Sequence, residues 1–166
     1  EIPVSRYISE EFFQLEQQHL WNNAWLYAAH RHELTEIGSY KLWEDAGVPI
    51  LLVRDEQQQL RAFYNTCRHR GSPLVTMTQG STRRLQCPFH GWTYNLQGAL
   101  MGVPELRDFA DFQMADYSLN EIRCESFGPW VFINRNSAAQ PLLEFLGPVV
   151  ESMADLDLDN LHYFAK

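Results

Sequence analysis

The sequence predicts a mainly β protein: an antiparallel β-sandwich or barrel that carries a small two-loop subdomain, with a helix at each end. Helical spacing of apolar residues is confined to the two ends of the chain. The middle consists of short apolar stretches separated by polar or glycine-containing turns, and two cysteine–histidine pairs lie between them. With 166 residues, 45% of them hydrophobic, the chain is long enough for one compact domain with a substantial core.

The amino-terminal region, residues 1–39, is predicted to contain one helix and a lead-in to the first strands. Ser9 is a suitable N-cap, and two glutamates follow it in the first turn, where the helix dipole favours negative charge. Apolar side chains then recur at helical spacing. We therefore expect a helix over residues 10–23 and a strand beginning at residues 25–29.

Residues 40–140 are predicted to form the β domain. Their short β-like stretches form three hairpins, whose turns contain polar residues or glycine. Beyond Pro141 the apolar spacing returns to that of a helix, so residues 141–166 are predicted to be a helical linker. The strands expected between these helices are residues 40–43, 48–54, 60–64, 92–95, 99–101, 119–125 and 130–133, and residues 83–86 are expected to lead into the second cysteine–histidine pair.

Two cysteine–histidine pairs in the centre of the chain predict a metal site. The first is Cys67-x-His69, and the second, after seventeen residues, is Cys87-x-x-His90. Glycine and proline flank both pairs, as expected for tight loops whose backbone amides face bound sulfide. Two thiolates on one iron and two imidazoles on the other are the ligand set of a Rieske [2Fe–2S] centre.

A structural zinc site is the alternative for the same four residues. Zinc fingers also use two cysteines and two histidines, but they place both cysteines in one pair and both histidines in the other. Here each pair contains one of each, an order that favours the iron–sulfur cluster. We therefore expect Cys67 and Cys87 to bind one iron, and His69 and His90 to bind the other.

The residues around the two pairs resemble the Rieske family, and within it the amino-terminal half of the large (α) subunit of Rieske non-haem iron ring-hydroxylating oxygenases. The resemblance is carried by residues 67–74, with the sequence CRHRGSPL, and residues 87–94, with the sequence CPFHGWTY. Weaker matches extend it from about Val4 to the end of the chain. It implies that the cluster-binding subdomain spans about residues 65–95.

Three further residues, Arg70, Trp92 and Tyr94, are predicted to lie around the ligands. High-potential respiratory Rieske proteins carry an extra cysteine in each loop and a serine that donates to a sulfide. The matching positions here are Ser72, Phe89 and Trp92. Because donors to the cluster sulfurs stabilise the reduced state, we expect a potential near the low end of the Rieske range, about −150 mV. Tyr94 either donates a hydrogen bond or simply packs.

The resemblance implies electron transfer as the function. In such oxygenases the cluster takes one electron from a reductase or ferredoxin and passes it to a mononuclear iron, where an organic substrate, expected to be aromatic, is hydroxylated. That iron needs two histidines and one carboxylate. The remaining histidines, His19, His30, His32 and His162, form no such pattern. We therefore expect the chain to be redox-active but not catalytic alone, with residues 141–166 leading to a missing catalytic domain that holds the mononuclear iron.

The expected partners are an electron donor and neighbouring subunits, and trimers are usual among the proteins resembled. Arg68 and Arg70 lie on either side of His69 and are expected either to steer an acidic redox partner or to pair with a local carboxylate. A stand-alone Rieske-type ferredoxin is the alternative function. Such ferredoxins are shorter and lack an aromatic amino-terminal helix, which places this alternative second.

Charge, hydropathy and cysteine content limit the possible partners and cellular locations of the protein. The formal net charge of −8 argues against a nucleic-acid partner, which normally requires a basic face. No apolar run reaches the roughly 18 residues of a membrane helix. The third cysteine, Cys124, is expected to be a buried, unreactive strand thiol, which leaves no disulfide framework and fits a cytoplasmic location.

Overall fold

A curled antiparallel sheet of seven strands forms most of the molecule in the computed structural model, which describes residues 2–45, 47–108 and 111–161. The strands are β1 (Leu26–His30), β2 (Ser39–Trp43), β3 (Ile50–Arg54), β4 (Leu60–Tyr64), β5 (Gln79–Ser81), β6 (Leu85–Gln86), β7 (Thr93–Tyr94), β8 (Leu100–Gly102), β9 (Glu121–Phe127) and β10 (Trp130–Asn134). The strand order of the large sheet is β1-β10-β9-β4-β3-β2-β5, and a second, three-stranded sheet has the order β6-β7-β8. The mainly β prediction is thus confirmed.

Helices flank the sheets at both ends of the chain, as the sequence predicts. The side chain of Ser9 accepts a hydrogen bond from the backbone N–H of Phe12 at 3.2 Å and so caps the first helix. None of the helices within the described ranges combines the length and apolar character that a bilayer crossing requires. The helices are α1 (Glu10–Glu16) with a π-helical continuation (Gln17–Trp21), α2 (Leu142–Leu146) and α3 (Pro148–Ser152), and short 3-10 turns occupy Val4–Tyr7, Arg31–Glu33, Leu106–Asp108, Met114–Tyr117 and Leu158–Asn160.

The carboxyl-terminal helical segment differs from its prediction. Apolar spacing predicted helical structure beyond Pro141 without a break, but Gly147 has φ +49° and separates α2 from α3, each five residues long. A left-handed residue ends a helix because it turns the chain out of the helical path. Residues 162–166, which complete the predicted linker, lie outside the described residues.

The uninterrupted apolar run of β3 lies between two cores. Ile50 and Leu52 pack into one core on one face of the sheet, while Leu51 and Val53 pack into another on the opposite face. A strand buried on both faces requires no polar alternation. The second core also contains both cysteines of the predicted metal site, so the two loops are mounted directly on the sheet; its members are Leu51, Val53, Phe63, Cys67, Leu74, Leu85, Cys87, Trp92, Tyr94, Leu96, Leu100 and Leu119.

The turn between β3 and β4 is organised by a buried carboxylate. Asp55 is 0% exposed and accepts hydrogen bonds from the backbone N–H groups of Gln57 and Gln59, at 2.9 and 2.8 Å. Its second oxygen accepts from Nε of Arg61 at 2.9 Å. Burial acts to raise the pKa of Asp55, but the hydrogen bonds from Arg61, Gln59 and Gln57 outweigh it and hold the pKa below its usual value.

Replacing this carboxylate, Asp55→Asn, should destabilise the fold at neutral pH by about 1.5–3 kcal/mol, the range for hydrogen bonds to charged groups. The pKa of Asp55 is lower in the folded state, so its stabilisation is present above the ordinary aspartate pKa and disappears as the pH falls through the lowered folded value. Urea unfolding at pH 7 and at about pH 3 measures both effects. The exposed Asp45→Asn is the matched control. A destabilisation of Asp55→Asn that is equal at both pH values would contradict this assignment.

Candidate metal centre

The two cysteine–histidine pairs lie on loops with the same backbone conformation. In the first loop, the N–H of Cys67 donates to the carbonyl of Ser72 at 2.8 Å, and the N–H of Gly71 donates to the carbonyl of Cys67 at 3.0 Å. The second loop repeats both bonds from Cys87, at the same sequence offsets and at 2.8 and 3.0 Å. Gly71 and Gly91 have φ values of +75° and +73°, in the left-handed region that favours glycine. The flanking glycines predicted from the sequence therefore shape both turns.

A buried asparagine fixes the first loop at its base. Asn65 is 3% exposed and directly follows β4. Its side-chain oxygen accepts from the backbone N–H groups of Leu74 and Val75 at 3.0 and 3.1 Å, and its amide donates to the carbonyl of Val75 at 2.8 Å. These three bonds join the two ends of the loop. The second loop is held in a different way, because it connects the paired strands β6 and β7.

The four predicted ligand side chains separate into a sulfur pair and a nitrogen pair. Cys67 and Cys87 are each 2% exposed, and each thiol contributes to the pKa shift of the other, so the two sulfurs are neighbours. The rings of His69 and His90 have centroids 4.7 Å apart, with His69 half-buried and His90 exposed. The sulfurs therefore lie in the core, and the imidazoles lie at the surface.

The nitrogen pair contains the one orphaned polar side-chain atom found in the described part of the chain. Nδ1 of His69 is buried and has no hydrogen-bond partner there. A buried nitrogen without a partner is costly unless it binds something, and a metal ion is the usual occupant beside a second imidazole. Within residues 2–45, 47–108 and 111–161, no group of three or more His, Cys, Asp or Glu side chains is arranged to hold a metal ion. A single ion would need such a group, whereas a two-iron cluster needs only two protein donors on each iron. The sulfur pair and the nitrogen pair meet that requirement.

Hydrogen-bond donors surround the sulfurs. Burial acts to raise the pKa of Cys87, but the backbone N–H groups of His90 and Phe89 and the hydroxyl of Ser72 outweigh it and lower the pKa. Burial raises the pKa of Cys67. Burial, followed by the proximity of His90 and Arg70, lowers the pKa of His69, which favours the neutral imidazole that a metal requires.

Tyr94 makes a hydrogen bond as well as packing in the core. Its hydroxyl oxygen lies 3.4 Å from Sγ of Cys67 and accepts from the backbone N–H of Arg68 at 3.1 Å. Burial, followed by the bond to Cys67, raises the pKa of Tyr94 above its usual value, so the phenol keeps its proton. Because the oxygen already accepts from Arg68, that proton is available to the sulfur of Cys67.

Trp92 stacks on a histidine. Its indole is 3% exposed and lies parallel to the ring of His69, with centroids 4.8 Å apart and planes 7° apart. Phe112 and Tyr117 each meet the indole at nearly a right angle, with centroids 5.5 Å away. Arg70, the other predicted neighbour of the ligands, is exposed.

Sequence reasoning missed three contributors to this site. The sequence indicated Ser72 only as the position of an absent cysteine. Ser72 follows Cys67 at the same distance along the chain as Trp92 follows Cys87, and both carbonyls accept from the cysteine N–H. That repeated offset was a usable signal. Phe112 and Tyr117 gave no local signal, because they reach Trp92 from a separate segment that follows β8.

His19, His30, His32 and Cys124 lie apart from the two loops. His19 lies in the π-helical turn, and His30 contacts His32 at a centroid distance of 4.8 Å. His162 lies outside the described residues. Cys124 is half-buried on β9, less enclosed than predicted, and burial raises its pKa to about 12, so the thiol stays protonated at neutral pH.

Comparison with known proteins identifies the same region. The family model of the Rieske [2Fe-2S] domain matches residues 24–118. The glycine betaine monooxygenase oxygenase subunit of Pseudomonas aeruginosa is 31% identical over 96% of this chain and 37% of its own length. The carnitine monooxygenase oxygenase subunit of Escherichia coli is 33% identical over 83% of this chain and 37% of its own length. The benzene 1,2-dioxygenase subunit alpha of Pseudomonas putida is 30% identical over 85% of this chain and 32% of its own length.

Solved structures give the same result. A quaternary ammonium Rieske monooxygenase, whose structure addresses carnitine oxidation and inter-subunit electron transfer, superposes with a TM-score of 0.86 and 29% identity over 91% of this chain and 41% of its own. Naphthalene 1,2-dioxygenase from Rhodococcus sp. superposes with a TM-score of 0.82 and 29% identity over 86% of this chain and 33% of its own.

The chain spans less than two fifths of the length of these curated relatives. The family match nevertheless covers more than half of the chain and includes both cysteine–histidine loops. The donor set of those loops also fits a two-iron cluster. The chain therefore belongs to the Rieske [2Fe-2S] family, and its relatives are the α, or oxygenase, subunits of Rieske oxygenases.

Proposed function

We propose that this chain is the electron-transfer part of a Rieske oxygenase, in which Cys67 and Cys87 bind one iron and His69 and His90 bind the other. The observation that carries the proposal is the arrangement of the four donors on two equivalent loops, with sulfurs inside and imidazoles outside. When bound, a Rieske cluster supplies reversible uptake of a single electron.

The chain's own residues prepare the site for that task. The hydroxyl of Tyr94 donates toward the sulfur of Cys67, and the amides of Phe89 and His90 donate toward the sulfur of Cys87, which stabilises thiolates. The exposed edge of His90 brings the nitrogen pair to the surface, where a redox partner reaches it. We propose that the electron then passes from the cluster to a mononuclear iron held by the catalytic part of the oxygenase.

The domain boundaries predicted from the sequence enter this proposal unchanged. Residues 40–140 would be the Rieske domain, with residues 65–95 as its cluster-binding subdomain, and residues 141–166 would lead toward a catalytic domain. The family match over residues 24–118 supports this division, since it contains the whole subdomain. Neighbouring subunits are proposed partners, with a homotrimer as the expected assembly. A cytoplasmic location is proposed because the three cysteines are free.

The named relatives divide between two kinds of substrate, the quaternary ammonium compounds glycine betaine and carnitine and the aromatic compound benzene. Electron delivery to an oxygenase iron is the function that both groups require, so we propose that function for this chain. The alignment with the glycine betaine enzyme covers 96% of the chain, including the amino-terminal helix that a stand-alone ferredoxin is expected to lack. This coverage favours the oxygenase over the ferredoxin alternative.

The electron donor is proposed to dock on a small face formed by Arg68, Arg70, Phe89 and His90. All four residues are exposed, and Phe89 leaves 61% of its surface open directly beside His90. In the described part of the chain neither arginine forms an ion pair within 4.0 Å, so their charge is available to a partner. The two arginines make this face locally positive on a protein whose net charge is −8. A locally positive face favours an acidic reductase or ferredoxin as the partner.

Reversing either charge tests both the face and the function. Arg68→Glu and Arg70→Glu should each slow reduction by an acidic donor about threefold or more at low ionic strength, because they weaken electrostatic steering. Stopped-flow bleaching of the cluster absorption at increasing salt measures this rate, and the difference should shrink as salt rises.

The matched control is Arg6→Glu, an exposed arginine in the amino-terminal 3-10 turn. Rates of the three variants that agree at every salt concentration would exclude this docking face. A wild-type chain that dithionite bleaches but that no protein donor reduces would contradict the proposed electron-transfer function.

A further inference from the structure

The two histidines of the site have different surroundings. His90 is exposed and contacts Phe89, an exposed ring at a centroid distance of 3.9 Å. His69 is half-buried and has a buried indole stacked on its face, 4.8 Å away and 7° from parallel. One imidazole therefore contacts a residue of the surface, and the other is backed by the core.

The indole that covers His69 is itself clamped. Phe112 and Tyr117 stack on each other, with centroids 4.5 Å apart and planes 16° apart. Both meet Trp92 at nearly a right angle, 81° for Phe112 and 83° for Tyr117. We call Trp92, Phe112 and Tyr117 the aromatic clamp. Two perpendicular contacts restrict the tilt of the indole, and the indole in turn restricts the ring of His69.

We propose that Trp92 is a positioning residue, which fixes the plane of His69 and holds the reduction potential of the cluster low. This inference rests on the proposed function, because it takes His69 as an iron ligand. It assigns a role to Trp92 that differs from that of the serine at the same position in respiratory Rieske proteins. The serine donates to a sulfide and raises the potential, whereas an indole stacked on a ligand acts through its face.

The direction of the effect follows from charge. Two ferric ions, two sulfides and two thiolates sum to zero, and one electron taken from a reductase or ferredoxin makes the reduced cluster negative. The face of an aromatic ring carries negative electrostatic potential, so an indole face against His69 disfavours added electron density there. The buried indole also keeps water, which stabilises the charged state, away from this side. Both effects lower the potential.

Two substitutions distinguish the effect of the aromatic face of Trp92 from the effect of its apolar volume. Trp92→Phe keeps a ring on His69, and Trp92→Leu keeps apolar volume but removes the ring. Trp92→Leu should favour reduction about threefold to tenfold, a potential about 28–59 mV higher at 59 mV per tenfold change for a one-electron couple. Trp92→Phe should shift the potential in the same direction but by less. The control is Trp130→Leu, a half-buried tryptophan on β10.

The measurements are the midpoint potential and the nitrogen hyperfine couplings of the two histidine ligands in the reduced protein, read by pulsed electron paramagnetic resonance. Trp92→Leu should alter one of the two couplings and leave the other unchanged, because only His69 loses its stacked ring. A merely structural tryptophan would not produce this selective change. Trp92→Leu with full iron and sulfide but with wild-type potential and couplings would overturn the proposal, as would an equal shift in Trp130→Leu.

A second variant decides the matter if Trp92→Leu does not retain the cluster. Tyr117→Leu removes one side of the aromatic clamp without touching His69, and it should raise the potential by a smaller amount. A wild-type potential in Tyr117→Leu would then overturn the positioning role. Wild-type protein that gives no iron–sulfur signal would instead contradict the proposed function, so the two failures are distinguishable.

Discussion

Replacing Cys87 with serine is expected to remove the cluster, leaving less than about a tenth of the wild-type iron and acid-labile sulfide in the purified protein. Cys87 is 2% exposed, and its thiol receives donors that lower its pKa, so the site is built for a thiolate. A serine hydroxyl does not ionise in this pH range and is a harder ligand than a sulfide-bridged iron prefers. Metal binding is expected to order the loops, so increased protease sensitivity of the second loop should accompany the loss.

The matched control is Cys124→Ser. Cys124 lies on β9, in the strand region that packs against the sheet core rather than against the metal loops. This variant should keep its full iron and sulfide content, measured by colorimetric assay after anaerobic purification. A Cys87→Ser protein with wild-type iron and sulfide would show that Cys87 is not a ligand.

Replacing His90 with cysteine should lower the reduction potential by roughly 125 mV wherever a cluster assembles. This value is half the difference between about −150 mV at the low end of the Rieske range and about −400 mV for all-cysteine ferredoxins, because the substitution replaces one of the two imidazoles. The physical cause is charge, because a thiolate in place of a neutral imidazole makes it harder to add an electron. His90 is exposed, so the larger sulfur is accommodated at the surface.

A redox titration followed by visible absorption measures this shift. His19→Cys, on the exposed π-helical turn, adds a cysteine away from the loops and should leave the potential unchanged. A His90→Cys protein that holds the cluster at the wild-type potential would remove His90 from the ligand set.

The sequence predicted the strands well where the local pattern and the tertiary environment agree. The hairpin of β3 and β4 was found because its turn is polar and both strands are apolar. The apolar stretch Ile50–Val53 did not reveal that the strand faces two cores, since periodicity cannot distinguish burial on two faces from a short buried helix. Strand β5 was missed because Gln79–Ser81 is polar and exposed, and only pairing with β2 makes it a strand.

The turns of the two cysteine–histidine loops were predictable because their sequence signal is local. Glycine at short spacing from each cysteine–histidine pair indicated the turns, and the same pairs supply the proposed ligands. The surroundings of the ligands were not predictable in the same way, since Phe112 and Tyr117 come from a segment beyond the loops. The role of Trp92 illustrates the difference: its position beside the site followed from the motif, but its stacking on His69 depends on the three-dimensional packing of four rings.

The iron and acid-labile sulfide content of the purified wild-type chain, combined with an electron paramagnetic resonance spectrum after reduction, tests the account most directly. We predict two irons and two sulfides per chain, visible absorption in the oxidised protein and one unpaired electron per chain after uptake of a single electron. Protein that contains no labile sulfide and one zinc per chain, with no visible absorption and no signal after reduction, would contradict it.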